Sequence, residues 1–145
     1  MACNSVKNMY YKSAQTAYND ASQAFVATGT QVQILGNLVC NTGCSLSTTG
    51  AGFVVNNGGL YRFSFDVIAT PSATGTMVLQ MYNGTTALPC AVANVTSDAS
   101  TTETMHIETV VRLNSCCGVQ PVIGCQISGV AGTISHVCGS AVKLA

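Results

Sequence analysis

Hydrophobic and polar residues alternate with a period of two along most of the chain, and the clearest run spans residues 57 to 84. Asn57-Gly58-Gly59 opens it with turn chemistry, because glycine accepts positive φ without a Cβ clash. From Leu60 to Ile68, the residues Tyr61, Phe63, Phe65 and Val67 share one face, and Arg62, Ser64 and Asp66 share the other. That period predicts a strand with one buried aromatic side. Pro71 to Gly75 interrupts it, and Thr76 to Tyr82 resumes it with Met77, Leu79 and Met81 opposed to Val78, Gln80 and Tyr82. Asn83-Gly84 then supplies a hairpin signal. Tyr61, Phe63, Phe65, Leu79 and Met81 are the expected core.

Further short runs fill the rest of the chain: Thr30 to Leu35, Cys44 to Ser47, Phe53 to Val55, Leu88 to Val95, Thr104 to Leu113, Val119 to Ile127, Thr133 to Val137 and Ala141 to Leu144. Glycine, asparagine and serine clusters separate them. Eight to ten short strands at such spacings predict an all-β fold, a sandwich or a jelly roll, over residues 27–145.

Residues 1–26 differ in character. Tyr10, Ala14, Ala17, Ala21 and Ala24 fall at spacings of four and three, the a/d positions of a short stem helix that could bundle with its copies. Asn19-Asp20 in mid-run suits an extended arm instead. Both readings stay open, and either would serve anchoring or oligomerisation.

Composition narrows the function. Only 7% of the 145 residues are charged, against about 25% in ordinary soluble domains. The net charge is zero and the five basic residues are scattered, so no basic patch exists to bind nucleic acid. Serine, threonine, asparagine and glycine take the place of charge, leaving a neutral surface that resists self-association weakly. No run of apolar residues reaches the length of a membrane span or of a signal peptide, which predicts synthesis in a cytoplasm without export by the general pathway.

The eight cysteines read mostly as small apolar core residues. Cys40 and Cys44, the adjacent Cys116-Cys117 and Cys138 near His136 form no set of zinc-ligand spacings, so no metal is expected. Nor is any cofactor. His106 and His136 are the only side chains suited to act as bases near neutral pH. The acids show no paired spacing for acid–base work, and no nucleophile or phosphate-loop motif occurs. His106 and Glu108 share a strand face, which a solvated face explains. The sequence argues against an enzyme.

The run Gly59-Leu60-Tyr61-Arg62-Phe63-Ser64-Phe65-Asp66-Val67 resembles the G-x-Y-x-F-x-x-x-V strand of the C1q/tumour-necrosis-factor superfamily. The short polar and apolar strands over Cys44 to Asn56, the strand ending in Asn83-Gly84 and a terminal strand reaching the C-terminus extend the resemblance to residues 28–145. It implies a ten-stranded jelly roll assembled as a compact homotrimer, with the Arg62, Ser64 and Asp66 face turned toward the threefold axis. Charge placed there needs partners, with neighbouring subunits as one source. No collagen-like stalk precedes the domain. Compact domains of this kind, rich in Ser, Thr and Asn, resemble phage virion proteins such as head fibres and capsid decorations. The resemblance thus implies a trimeric structural subunit on a virion surface, held to a capsid or fibre protein by the N-terminal arm and able to touch a host-surface glycan. The alternative is a secreted or displayed, extracellular recognition module that binds a carbohydrate or protein through its loops.

Overall fold

The computed structural model describes residues 12–115 and 118–145. Tyr10, Cys3 and the Cys116-Cys117 pair lie outside them. Twelve strands are formed: β1 Ala14–Asn19, β2 Gln23–Phe25, β3 Thr30–Gln31, β4 Asn37–Thr42, β5 Leu46–Thr49, β6 Gly52–Val55, β7 Gly59–Pro71, β8 Gly75–Asn83, β9 Thr86–Ser97, β10 Glu103–Leu113, β11 Val122–Ser128 and β12 Gly132–Lys143. They pair antiparallel in two sheets. The first runs β10-β7-β12-β1-β4, with β2 added on β12; the second runs β5-β6-β11-β8-β9, with β3 added on β11. From β7 to β12 the chain crosses between sheets after every strand except in the β8–β9 hairpin. This is a jelly roll of ten main strands plus the two short additions.

The alternation over residues 60–82 fixes the layer between the sheets. Tyr61, Phe63 and Phe65 from β7 and Met77, Leu79 and Met81 from β8 have no exposed surface. Phe53 of β6 reaches across from the second sheet, with its ring centroid 6.2 Å from Phe63 and 5.8 Å from Phe65. The Tyr61 hydroxyl would be an orphan in this layer, but it donates to the Asn57 carbonyl at 2.5 Å. Among the described residues no buried side-chain polar atom lacks a hydrogen-bond partner.

Four segments depart from the sequence reading. Residues 14–25 are neither a helix nor a free arm, because β1 sits between β12 and β4 and β2 pairs with β12. The alternation in β1 is hidden because two of its inward residues are polar. Gln15 and Asn19 are buried there. The Gln15 amide donates to Asn41 and to the Leu46 carbonyl and accepts from Thr48, while Asn19 donates to the Gln33 carbonyl and accepts from the Ala21 amide. Hydrogen bonds thus replace the apolar contacts that a pattern search looks for. Second, the terminal run is one strand, β12, with a register shift between Ile134 and His136. The Cys138-Gly139-Ser140 stretch masks it because Gly139 is buried without a side chain to mark the inner face. Third, the glycine- and asparagine-containing stretch between the expected runs Thr30 to Leu35 and Cys44 to Ser47 holds the edge strand β4. Fourth, the expected strand over Thr30 to Leu35 is ladder only at Thr30–Gln31. Val32 and Ile34 are nonetheless fully buried, their amides bonded to the Cys125 and Gly50 carbonyls.

The cysteines also depart from expectation. Of those described, only Cys125 is buried; Cys40 and Cys138 are half-buried, Cys90 is exposed, and Cys44 is disulfide-bonded. Strand position, more than apolar character, decides their burial.

Candidate assembly face

The outer side of the first sheet collects nearly all the ionisable chemistry carried by strands. No residue of the second sheet's strands is Asp, Glu, Lys, Arg or His. On the first sheet the ladder registers align outward side chains in rows across five strands. One row reads Val110, Arg62, Val142, Ala14, Thr42; the next reads Glu108, Ser64, Ser140, Thr16, Cys40. A third reads His106, Asp66, Cys138, Tyr18, Asn37. His136 follows on the fourth, paired with Ile68.

The rows are knitted together by polar contacts. His106 Nδ1 lies 2.7 Å from Asp66 Oδ1, and its Nε2 lies 3.4 Å from Glu108 Oε2. Glu108 Oε1 is in turn 3.6 Å from Arg62 Nε. Ser64 and Ser140 share a hydroxyl–hydroxyl bond of 2.7 Å. Farther along, His136 Nδ1 pairs with Asp20, and its ring stacks on Tyr18 at 6.2 Å. The bond to Asp66 raises the His106 pKa above 6.5, and the nearby charges of Asp66 and Glu108 add to it; partial burial pulls the other way and loses. Burial, with help from the Asp66 charge, raises the pKa of the Cys138 thiol. Inside the sandwich, burial alone drives the Cys125 thiol far above its ordinary range.

Arg62, Ser64 and Asp66 all lie on this face, and each is partnered within its own chain. The partners that Arg62 and Asp66 were expected to need are thus met without a neighbouring subunit. Those partners, Glu108 and His106, and Ser140 beside Ser64, were not foreseen as such, because pairing across strands depends on the register of β7 against β10 and β12. The spacing His136, Cys138, Ser140, Val142 does carry the period of two that puts them on one face. The ion pairs are about half exposed, so each stabilises the single chain little, by about 0–1 kcal/mol.

At the opposite edge, a cleft of 410 Å³ opens between β4 and β5, lined by Gln15, Leu38, Asn41, Leu46, Ser47 and Thr48. Its lining carries no charged side chain, and the Gln15 amide within it is bonded to Asn41 and Thr48. Among the described residues no group of three or more His, Cys, Asp or Glu side chains is arranged to hold a metal ion.

The chain's sequence matches no protein-family description and no curated protein. Its structure is similar to several solved ones. The PRD1 vertex protein P5 shares 19% identity over 93% of this chain and 99% of its own, with a TM-score of 0.67. Murine APRIL at pH 5.0 shares 16% over 92% and 99%, with a TM-score of 0.69. The globular domain of the zebrafish complement 1qA protein shares 9% over 92% and 98%, with a TM-score of 0.57. Likeness at such identities speaks to architecture, and function has to be argued from the residues. The chain has the C1q/tumour-necrosis-factor-like jelly-roll fold, which it shares with the PRD1 vertex protein P5.

Proposed function

We propose that this protein is a non-enzymatic structural subunit, a homotrimer on the surface of a phage virion that serves as a capsid decoration or head fibre. The observation that carries the reading is the outer face of the first sheet. It is broad, its side chains are mostly small, and its central charges, Arg62, Asp66, His106 and Glu108, contact one another within the chain. A surface on which carboxylates already have basic neighbours can be covered by its own copies at a lower desolvation cost than one of isolated charges. The low overall charge points the same way, and the fold likeness to a phage vertex protein supports a virion setting. Anchoring to a capsid or fibre protein belongs to the residues ahead of β1 in this proposal, since β1 and β2 are hydrogen-bonded into the sandwich.

Negative-stain imaging of the purified protein, and antibody labelling of the phage particles that carry it, test the proposal. Threefold particles and label on the virion exterior are expected. Compact single copies together with unlabelled virions would overturn it.

A second reading, an extracellular recognition module for a carbohydrate or protein, draws on the uncharged cleft between β4 and β5. A glycan array probed with the labelled protein tests it; signal lost in Asn41→Ala would favour it, and a blank array counts against it.

A further inference from the structure

Both histidines of the chain lie on the first sheet's outer face, and each touches an aspartate. His106 is the more enmeshed, with a carboxylate on each ring nitrogen. We infer that association through this face is controlled by the protonation of His106, so that copies bind one another more tightly as pH falls through the histidine range. The inference rests on the assembly reading above.

The charge count gives the sign. Around His106 stand Asp66 and Arg62 on β7 and Glu108 on β10. With His106 protonated, two cations balance two carboxylates and the cluster is neutral. With His106 neutral, one negative charge is left uncompensated. In solution that charge is hydrated and costs little. Around a closed symmetry axis each copy would bring its own, in a place with less water to screen them, so the like charges repel. Association then favours the protonated form and takes up protons, and by linkage acid must favour association. The raised pKa of His106 in the single chain starts the group on the protonated side at mildly acid pH.

The remaining titratable groups on the face do not reverse this sign. From β12 come Cys138 and His136, from β1 Tyr18, from β4 Cys40, and Asp20 lies just beyond the end of β1. Burial and the Asp66 charge raise the Cys138 pKa, which keeps that thiol uncharged through the histidine range. His136 with Asp20 repeats the His–Asp contact farther along the face. Arg112 lies six residues along β10 from His106, roughly 20 Å at strand rise and beyond about one Debye length in physiological salt.

The test is sedimentation of the full chain at about pH 5.5 and about pH 8, on either side of the histidine range, at constant ionic strength. The wild type should show an apparent trimer dissociation constant that rises about tenfold or more toward the higher pH. His106→Gln, checked for folding by circular dichroism, should shrink that change to within about threefold, while His136→Gln keeps most of it. A trimer equally tight at both pH values overturns the inference and leaves the assembly reading standing. A monomer at both overturns the assembly reading, and the inference with it. A pH response that survives in His106→Gln but vanishes in His136→Gln would reject His106 as the controlling group.

Discussion

Phe63 packs against Tyr61 at 5.9 Å and against Phe53 at 6.2 Å, bridging the two sheets with no exposed surface. Its removal would leave a cavity that neighbouring rings on two stiff strands cannot close. Phe63→Ala is therefore expected to cost about 3–5 kcal/mol in urea unfolding; a loss within error would show that the layer can collapse around the gap. The aromatic run made this residue legible in the sequence, since three aromatics confined to one side at a period of two require a strand face shielded from water. The cysteines were not legible in the same way, because thiols are indifferent enough to burial to occupy either face. Their reactivity should now follow position. Among Cys90, Cys138 and Cys125, Cys90, exposed on β9, should label first with a maleimide. Cys138 should follow more slowly, since burial and the Asp66 charge disfavour its thiolate. Cys125 should stay unlabelled until the protein unfolds. Peptide mass mapping over a time course reads the order, and early labelling of Cys125 would mean that the second sheet opens locally.

Elements were recognisable where a strand has an apolar inner face, as in β7, β8 and β10. They were obscured where it does not. β1 turns glutamine and asparagine inward, β12 turns a glycine inward, and β4 is an edge with little inner face at all. An alternation of hydrophobicity cannot register a strand whose inward positions are held by hydrogen bonds or by bare backbone. Two glycines separate turn chemistry from packing at this scale. Gly84, one of two residues between the paired Asn83 and Thr86, has φ of 60° and open space where a Cβ would go. Gly129, just past β11, has φ of 100°, and a Cβ there would stand 2.0 Å from the Thr76 carbonyl oxygen on β8. Gly84→Ala should therefore cost only the left-handed penalty, about 1–2 kcal/mol. Gly129→Ala must in addition push β8 away from the end of β11, and should lower the melting temperature distinctly more. Equal losses in a thermal scan would show that this turn yields without disturbing the ladder.

At the scale of the whole molecule, the two sheets divide their labour by charge. The second sheet's strands hold none, and the first sheet's outer face holds a paired cluster that adds little to the stability of one chain. That face was partly readable beforehand, since Arg62, Ser64 and Asp66 alternate along one strand. Its completion by His106, Glu108 and Ser140 was not, because it needs three strands distant in sequence to come into register. The division can be tested by charge reversal at two sites. Asp66 lies within the cluster and Asp98 in the loop between β9 and β10. In the isolated chain either change to lysine should be mild, because a half-exposed ion pair contributes about 0–1 kcal/mol. In a trimer closed through this face the outcomes diverge. Asp66→Lys places a cation beside His106 and near Arg62, removes the carboxylate that holds His106, and leaves the cluster with net positive charge in every copy. Asp98→Lys alters only solvated loop surface. Light scattering of the wild type and of Asp98→Lys should give about three times the 14.9 kDa of one chain, whereas Asp66→Lys should fall toward the mass of a single copy. Monomeric wild type at micromolar concentration would remove the trimer. If both variants stayed trimeric, the trimer would survive and its axis would have to pass by another face, with the uncharged second sheet the next surface to examine.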